Sequence, residues 1–251
     1  MIPEFALRLI CGLSSMWCLA PRRQITSGFF RIQMLLTLGL SVLAAVTASQ
    51  LPINDSISTD RGHSLFFLAS LALAFLSFAG SVAWTLERRR GGTIFAGIIF
   101  LVATGTIFGT AEWGGNEKSL FVAGLANDLT AAWILGAATG TMLLGHWYLT
   151  ATGMPLQPLI NDTRLFGIAI LVRILVVFWL EGSGFHVEHG NWTLLVLQWG
   201  GLLGPALMAG LTFRILKYRN TQSATGVLYA ATILVFMGEM AASLLGAAQA
   251  N

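Results

Sequence analysis

Asp128, Arg173 and Glu239 each stand inside a long apolar stretch of this chain. A charge in hydrocarbon is expensive, so such a residue faces protein or a water-filled cavity and is a default candidate for function. Asp128 belongs to a series, Gly124, Asp128, Ala132, Gly136 and Gly140, that recurs every four positions. On a helix this spacing makes one seam of small residues where neighbouring helices pack closely, so Asp128 faces protein and not lipid. Glu239 belongs to a second pattern, Gln222, Thr225, Tyr229, Thr232, Phe236, Glu239 and Ser243, spaced by alternating threes and fours. That spacing lines up one helix face, and a polar stripe on an otherwise apolar helix must point inward. An unpaired arginine at mid-membrane would cost about 2.5–3.5 kcal/mol, so Arg173 is expected to pair with Glu239 or with Asp128. Gln198 is a further polar residue expected at the depth of Asp128 and Glu239. Together these residues make either an ion-pair network that fixes helix packing or an outward-facing pocket for a ligand, quinone, proton or ion.

The histidines point to a second kind of chemistry. Bis-histidine ligation of haem b needs two imidazoles at similar depth around one iron. His63, His186 and His189 fall at the outer ends of apolar segments, which allows a pair there, and none sits deep in a span. His146, in Gly145-His146-Trp147-Tyr148, falls at the opposite boundary. This cluster suits a membrane–water interface, where Trp and Tyr gather. Its functional alternative is the headgroup end of a quinone site, with His146 and Tyr148 as hydrogen-bond donors. His63 and Gln198 are the other cofactor candidates. His186-Val187-Glu188-His189 has ligand types that suit a metal, but in a loop it reads more simply as solvated chain. Nucleophile and nucleotide motifs are absent: there is no GxSxG, HExxH or Walker loop, and the glycines are scattered through apolar runs. Cys11 and Cys18 are seven apart on one stretch, too far along a helix for a disulfide, and read as apolar fillers.

Composition sets the elements that must position these groups. The chain has 251 residues, of which 55% are hydrophobic and only 10% charged, with mean hydropathy +0.75. A soluble domain carries about 25% charge. The reading is an all-α polytopic transmembrane helical bundle, a single integral membrane domain over 1–251, whose surroundings are a lipid bilayer. The net charge is only +3 and no basic face stands out, so nucleic acid is not an expected partner.

Apolar length places about eight membrane helices, near 5–20, 29–49, 64–86, 93–113, 120–151, 165–180, 192–216 and 222–245. The count is seven if the first, short segment does not cross. If all cross, Arg22-Arg23, Arg88-Arg89-Arg90 and Lys217 to Arg219 fall on one side, which the positive-inside rule makes cytoplasmic. Both termini are then outside, and Asp128, Glu239, Gln198 and Arg173 share the outer half of the bundle. Gly153-Met154-Pro155 and Pro158 form a stiff connection, and Asn161-Asp162-Thr163 looks like a helix start.

The first functional expectation is an integral membrane subunit of a redox or respiratory-type assembly. It would anchor other membrane subunits and contact quinone or haem b without a catalytic constellation of its own. The alternative is a small transporter or channel, with Asp128, Arg173 and Glu239 lining its path. An intramembrane enzyme comes last, for want of a catalytic constellation. Short loops and basic inner turns suit a bacterial plasma membrane.

Overall fold

The computed structural model describes residues 2–50, 57–110, 118–151, 153–182 and 192–249. They form eight helices: α1 (Ile2–Leu19), α2 (Ser27–Ser49), α3 (Ile57–Thr85), α4 (Arg89–Thr110), α5 (Lys118–Thr150), α6 (Gln157–Gly182), α7 (Trp192–Lys217) and α8 (Thr221–Gln249). No strand occurs among the described residues. All eight helices are long and apolar enough to cross a membrane, so the chain is a multi-pass integral membrane protein. Large apolar side chains stand exposed along them, among them Phe75, Leu101, Leu175, Phe178 and Leu207. Water would not tolerate such a surface, and lipid requires it.

Several helices extend beyond their apolar cores. α3 begins seven residues before the expected Ser64, α4 begins inside the Arg88–Arg90 run, and α6 begins eight residues before the expected Leu165. Pro158 explains α6: it occupies the first turn, where a missing N–H costs nothing and the fixed φ suits a helix. The Asn161-Asp162-Thr163 triplet therefore lies inside the helix and does not start it.

The chain divides into two compact units, Met1–Ala132 and Trp133–Asn251, with the division falling inside α5. In the first unit α1 is an interior helix, with Leu9, Ile10, Leu13, Met16 and Trp17 buried. α2 and α3 lie side by side: Phe30 stacks on Trp84 with ring centroids 4.5 Å apart, and the Met34 sulfur sits close over Gly80. α3 ends in a left-handed residue, Glu87 at φ 54°. The Arg88 N–H reaches back to the Ala83 carbonyl and the Glu87 N–H to the Trp84 carbonyl, the pattern of a Schellman cap. The chain thus reverses into α4 within three residues. The Trp84 indole then fills the space above Gly92, where a Cβ would come within 2.4 Å of the ring.

The second unit holds the rest of α5 with α6, α7 and α8. Its tightest crossing is Gly201 of α7 against Gly238 of α8, where a Cβ added to Gly201 would lie 2.4 Å from the Gly238 Cα. Thr232 of α8 donates to the Ala138 carbonyl of α5 at 3.2 Å, and Gly145 of α5 faces Thr225 of α8. α5 and α6 form a hairpin. The Tyr148 hydroxyl donates to the Pro155 carbonyl in the connection, and Thr141 donates to the Asp162 carbonyl at 3.2 Å.

Candidate functional site

In the second unit Arg173 and Glu239 meet. Arg173 Nε donates to Glu239 Oε1 at 2.9 Å, and Nη2 donates to Oε2 at 2.9 Å. Both side chains are buried, at 1% and 7% exposure. Two parallel N–H···O contacts match the planar guanidinium fork to both carboxylate oxygens, the strongest geometry available to such a pair. The helices place it by their periodicity. Arg173 shares the buried face of α6 with Phe166, Ala169, Ile170 and Val177. Glu239 shares the α8 face with buried Thr225 and Thr232, as the polar stripe requires. Ser243 donates back to the Glu239 carbonyl at 2.9 Å. Gln198 is half-buried on α7, with its backbone carbonyl against Gly238, one residue from Glu239. Gln198 and Glu239 therefore come to one level.

Asp128 lies in the first unit, where Arg8 is its partner. Arg8 Nη2 of α1 donates to Asp128 Oδ1 at 2.7 Å, and Asn127 donates to the same oxygen at 3.3 Å. This pair is half-buried, at 17% and 29% side-chain exposure. Glu239, one of the expected partners of Arg173, is paired with it, and Asp128 is paired with Arg8. The small-residue seam is buried from Ala132 through Gly136 and Gly140, whereas Gly124 stands exposed.

The boundary cluster is arranged differently from a ready-made donor pair. Tyr148 is buried and its hydroxyl donates to Pro155. His146 is exposed on the next face of α5, and its ring meets Tyr229 of α8 edge-on at 6.1 Å between centroids. His63 falls on α3, but its side chain lies outside the described residues, as do His186, Glu188 and His189 entirely. Among the described residues no three of His, Cys, Asp and Glu gather as a metal site would need. Cys11 is buried, with its sulfur 3.4 Å from the Thr104 hydroxyl, and Cys18 is exposed; both are free thiols.

Two buried polar side chains escape sequence reasoning. Asp162 is 5% exposed on α6, and its Oδ1 has no hydrogen-bond partner among the described residues. Pro158 as a first-turn residue is the signal that would have placed it inside a helix. Gln33 on α2 is 2% exposed, and neither its Oε1 nor its Nε2 finds a partner among the described residues. A cavity of about 380 Å³ opens between the ends of α2 and α3, lined by Ser49, Ser64, Phe67 and Leu68. Its described lining carries hydroxyls and apolar groups and none of the charged residues above.

The fold and its charge pairs thus define a polytopic helical membrane protein braced by intramembrane ion pairs. No protein-family model, curated protein or solved structure matches the chain.

Proposed function

We propose that the chain is a membrane-embedded subunit of a larger membrane assembly of the redox or respiratory kind, holding partner subunits in place and meeting quinone at one boundary. The observation that supports the anchoring role is the two-point Arg173–Glu239 pair. Each charge is matched by the other inside one unit, and such a pair braces helices. A transport path needs groups that release one partner to take another, and this geometry favours that less. The Arg8–Asp128 pair acts in the same sense between α1 and α5.

The redox part of the reading rests on His146 and Tyr229. An exposed imidazole and a phenol with ring centroids 6.1 Å apart offer two hydrogen-bonding groups to a quinone carbonyl at the end of α5. Tyr148, whose hydroxyl is bonded to Pro155, supports the hairpin beneath them. In this reading the turns that carry Arg22, Arg23, Arg88, Arg89 and Arg90 face the cytoplasm of a bacterial cell, and both termini face out.

The test is to purify the full chain from its own membrane in mild detergent. Organic extraction then reads bound quinone, and a reduced-minus-oxidised spectrum reads haem. Quinone recovered from the wild type and lost from His146→Ala supports the reading. Absence of both quinone and a haem band removes its redox half. Uptake of a solute by vesicles containing the chain alone would replace it with the transporter reading.

A further inference from the structure

The α1–α2 and α3–α4 turns of the first unit, with the first turns of α2 and α4 that follow them, carry six arginines: Arg22, Arg23, Arg31, Arg88, Arg89 and Arg90. Glu87 is the one acidic residue among them. Sequence alone places these residues in two separate runs. The fold joins them, because Arg89 Nη1 of α4 donates to the Arg22 carbonyl in the α1–α2 turn at 3.0 Å. Arg22 itself reaches back to the Trp17 carbonyl at 3.3 Å. Below this contact the ends of α2, α3 and α4 are locked by Trp84, stacked on Phe30 and seated over Gly92. The arginines are therefore held on a packed platform. Arg23, Arg31, Arg88, Arg89 and Arg90 are all exposed, and the N-termini of α2 and α4 open at the same end, adding their positive dipole ends.

What flanks the charge identifies the ligand. Ile32, Leu35, Leu86 and Ile94 stand exposed beside the arginines. A free phosphate would use the cations and ignore these side chains. An acidic protein segment has no need of an apolar wall running into the membrane. A molecule with an anionic head and apolar tails uses both. We propose that this end of the first unit is a binding site for an anionic phospholipid, its phosphate held by arginines from both turns and its acyl chains lying along the neighbouring helices α3 and α4.

Each arginine near such a surface is worth about 1 kcal/mol toward acidic lipid, a factor of about five in affinity. The full chain in detergent is mixed with equal amounts of phosphatidylglycerol and phosphatidylcholine of matched acyl chains. Lipid retained after detergent removal is read by mass spectrometry. The wild type should retain phosphatidylglycerol in at least about fivefold excess. The triple change Arg88→Gln, Arg89→Gln and Arg90→Gln should bring the ratio toward one. Glu87→Gln keeps the turn and removes the opposing charge, so it should raise the ratio, an effect that a purely structural role for the turn would not produce. If the triple variant does not fold, Glu87→Gln and a salt titration of the wild type decide. A wild-type ratio near one, or a ratio that ignores both Glu87→Gln and salt, overturns the proposal. So does wild-type protein that carries an acidic protein on these arginines and no anionic lipid.

Discussion

Arg173 and Glu239, 66 positions apart in sequence, form a buried two-point ion pair that ties α6 to α8. Taking two ions out of a polar solvent carries a large penalty, which only such matched geometry offsets. Removing one partner takes both of these charge-assisted contacts from a charge that stays buried. Glu239→Leu should therefore cost about 3–5 kcal/mol of stability. The double change with Arg173→Met should recover most of that loss, because both members of the pair are then apolar. Thermal unfolding of the purified protein in detergent measures both. A double variant as unstable as the single one would show that the pair does more than cancel its own charge.

The Arg8–Asp128 pair should behave more mildly. Its members keep 17% and 29% exposure, so part of the charge remains solvated and the coupling is screened. Asp128→Asn should lower stability by about 1 kcal/mol, well short of the Glu239→Leu effect. It should also loosen α1 before the rest of the first unit, since Arg8 is the α1 residue bound to Asp128. Hydrogen exchange of α1 amides reads this directly. Uniform exchange across α1 and α2 in the variant would argue against the pair as the fastening of α1.

Helices were readable because apolar runs of membrane length leave few alternatives, and their cores appear where the runs lie. Their ends were not. Hydropathy stops at the first charges, whereas α4 begins within Arg88–Arg90 and α6 takes in Pro158 to Thr163. The inward aim of Glu239 was legible from its spacing with Thr225 and Thr232, since the face of a helix is a local property. That α6 brings Arg173 to Glu239 was not, because sequence does not say which helices are neighbours. Arg8 went unrecognised as the partner of Asp128 for the same reason. Asp162 and Gln33 were invisible as buried groups: one sat in a triplet that mimics a helix cap, the other near a polar helix start.

Gln33 offers a test of how the first unit tolerates polar groups. Its amide is buried with both polar atoms unpartnered among the described residues, and an unsatisfied buried amide costs about 1–3 kcal/mol. Gln33→Met, close in volume, should raise the thermal midpoint. A fall would show that the amide holds an internal water or a ligand that the apolar side chain cannot replace.

Glycines in α7 divide sharply in what they permit. Gly201 is pressed against backbone: a Cβ there would lie 2.4 Å from the Gly238 Cα and 2.7 Å from the Leu234 carbonyl oxygen. Backbone atoms of a packed helix cannot rotate away, so Gly201→Ala must push α7 from α8. Overpacking of this kind costs about 1–3 kcal/mol. One residue earlier, Gly200 has nothing among the described residues within 4 Å of its would-be Cβ, and Gly210 is equally open. There alanine gains up to about 1 kcal/mol of helix preference with no clash. The expected ranking in thermal unfolding is Gly200→Ala and Gly210→Ala at or above wild type, with Gly201→Ala clearly below. Because the α7–α8 crossing lies one residue from Glu239, Gly201→Ala should also disturb the Arg173–Glu239 pair. Its loss should then be less than additive with Glu239→Leu. Full additivity of the two would show that the glycine contact and the ion pair hold α8 independently.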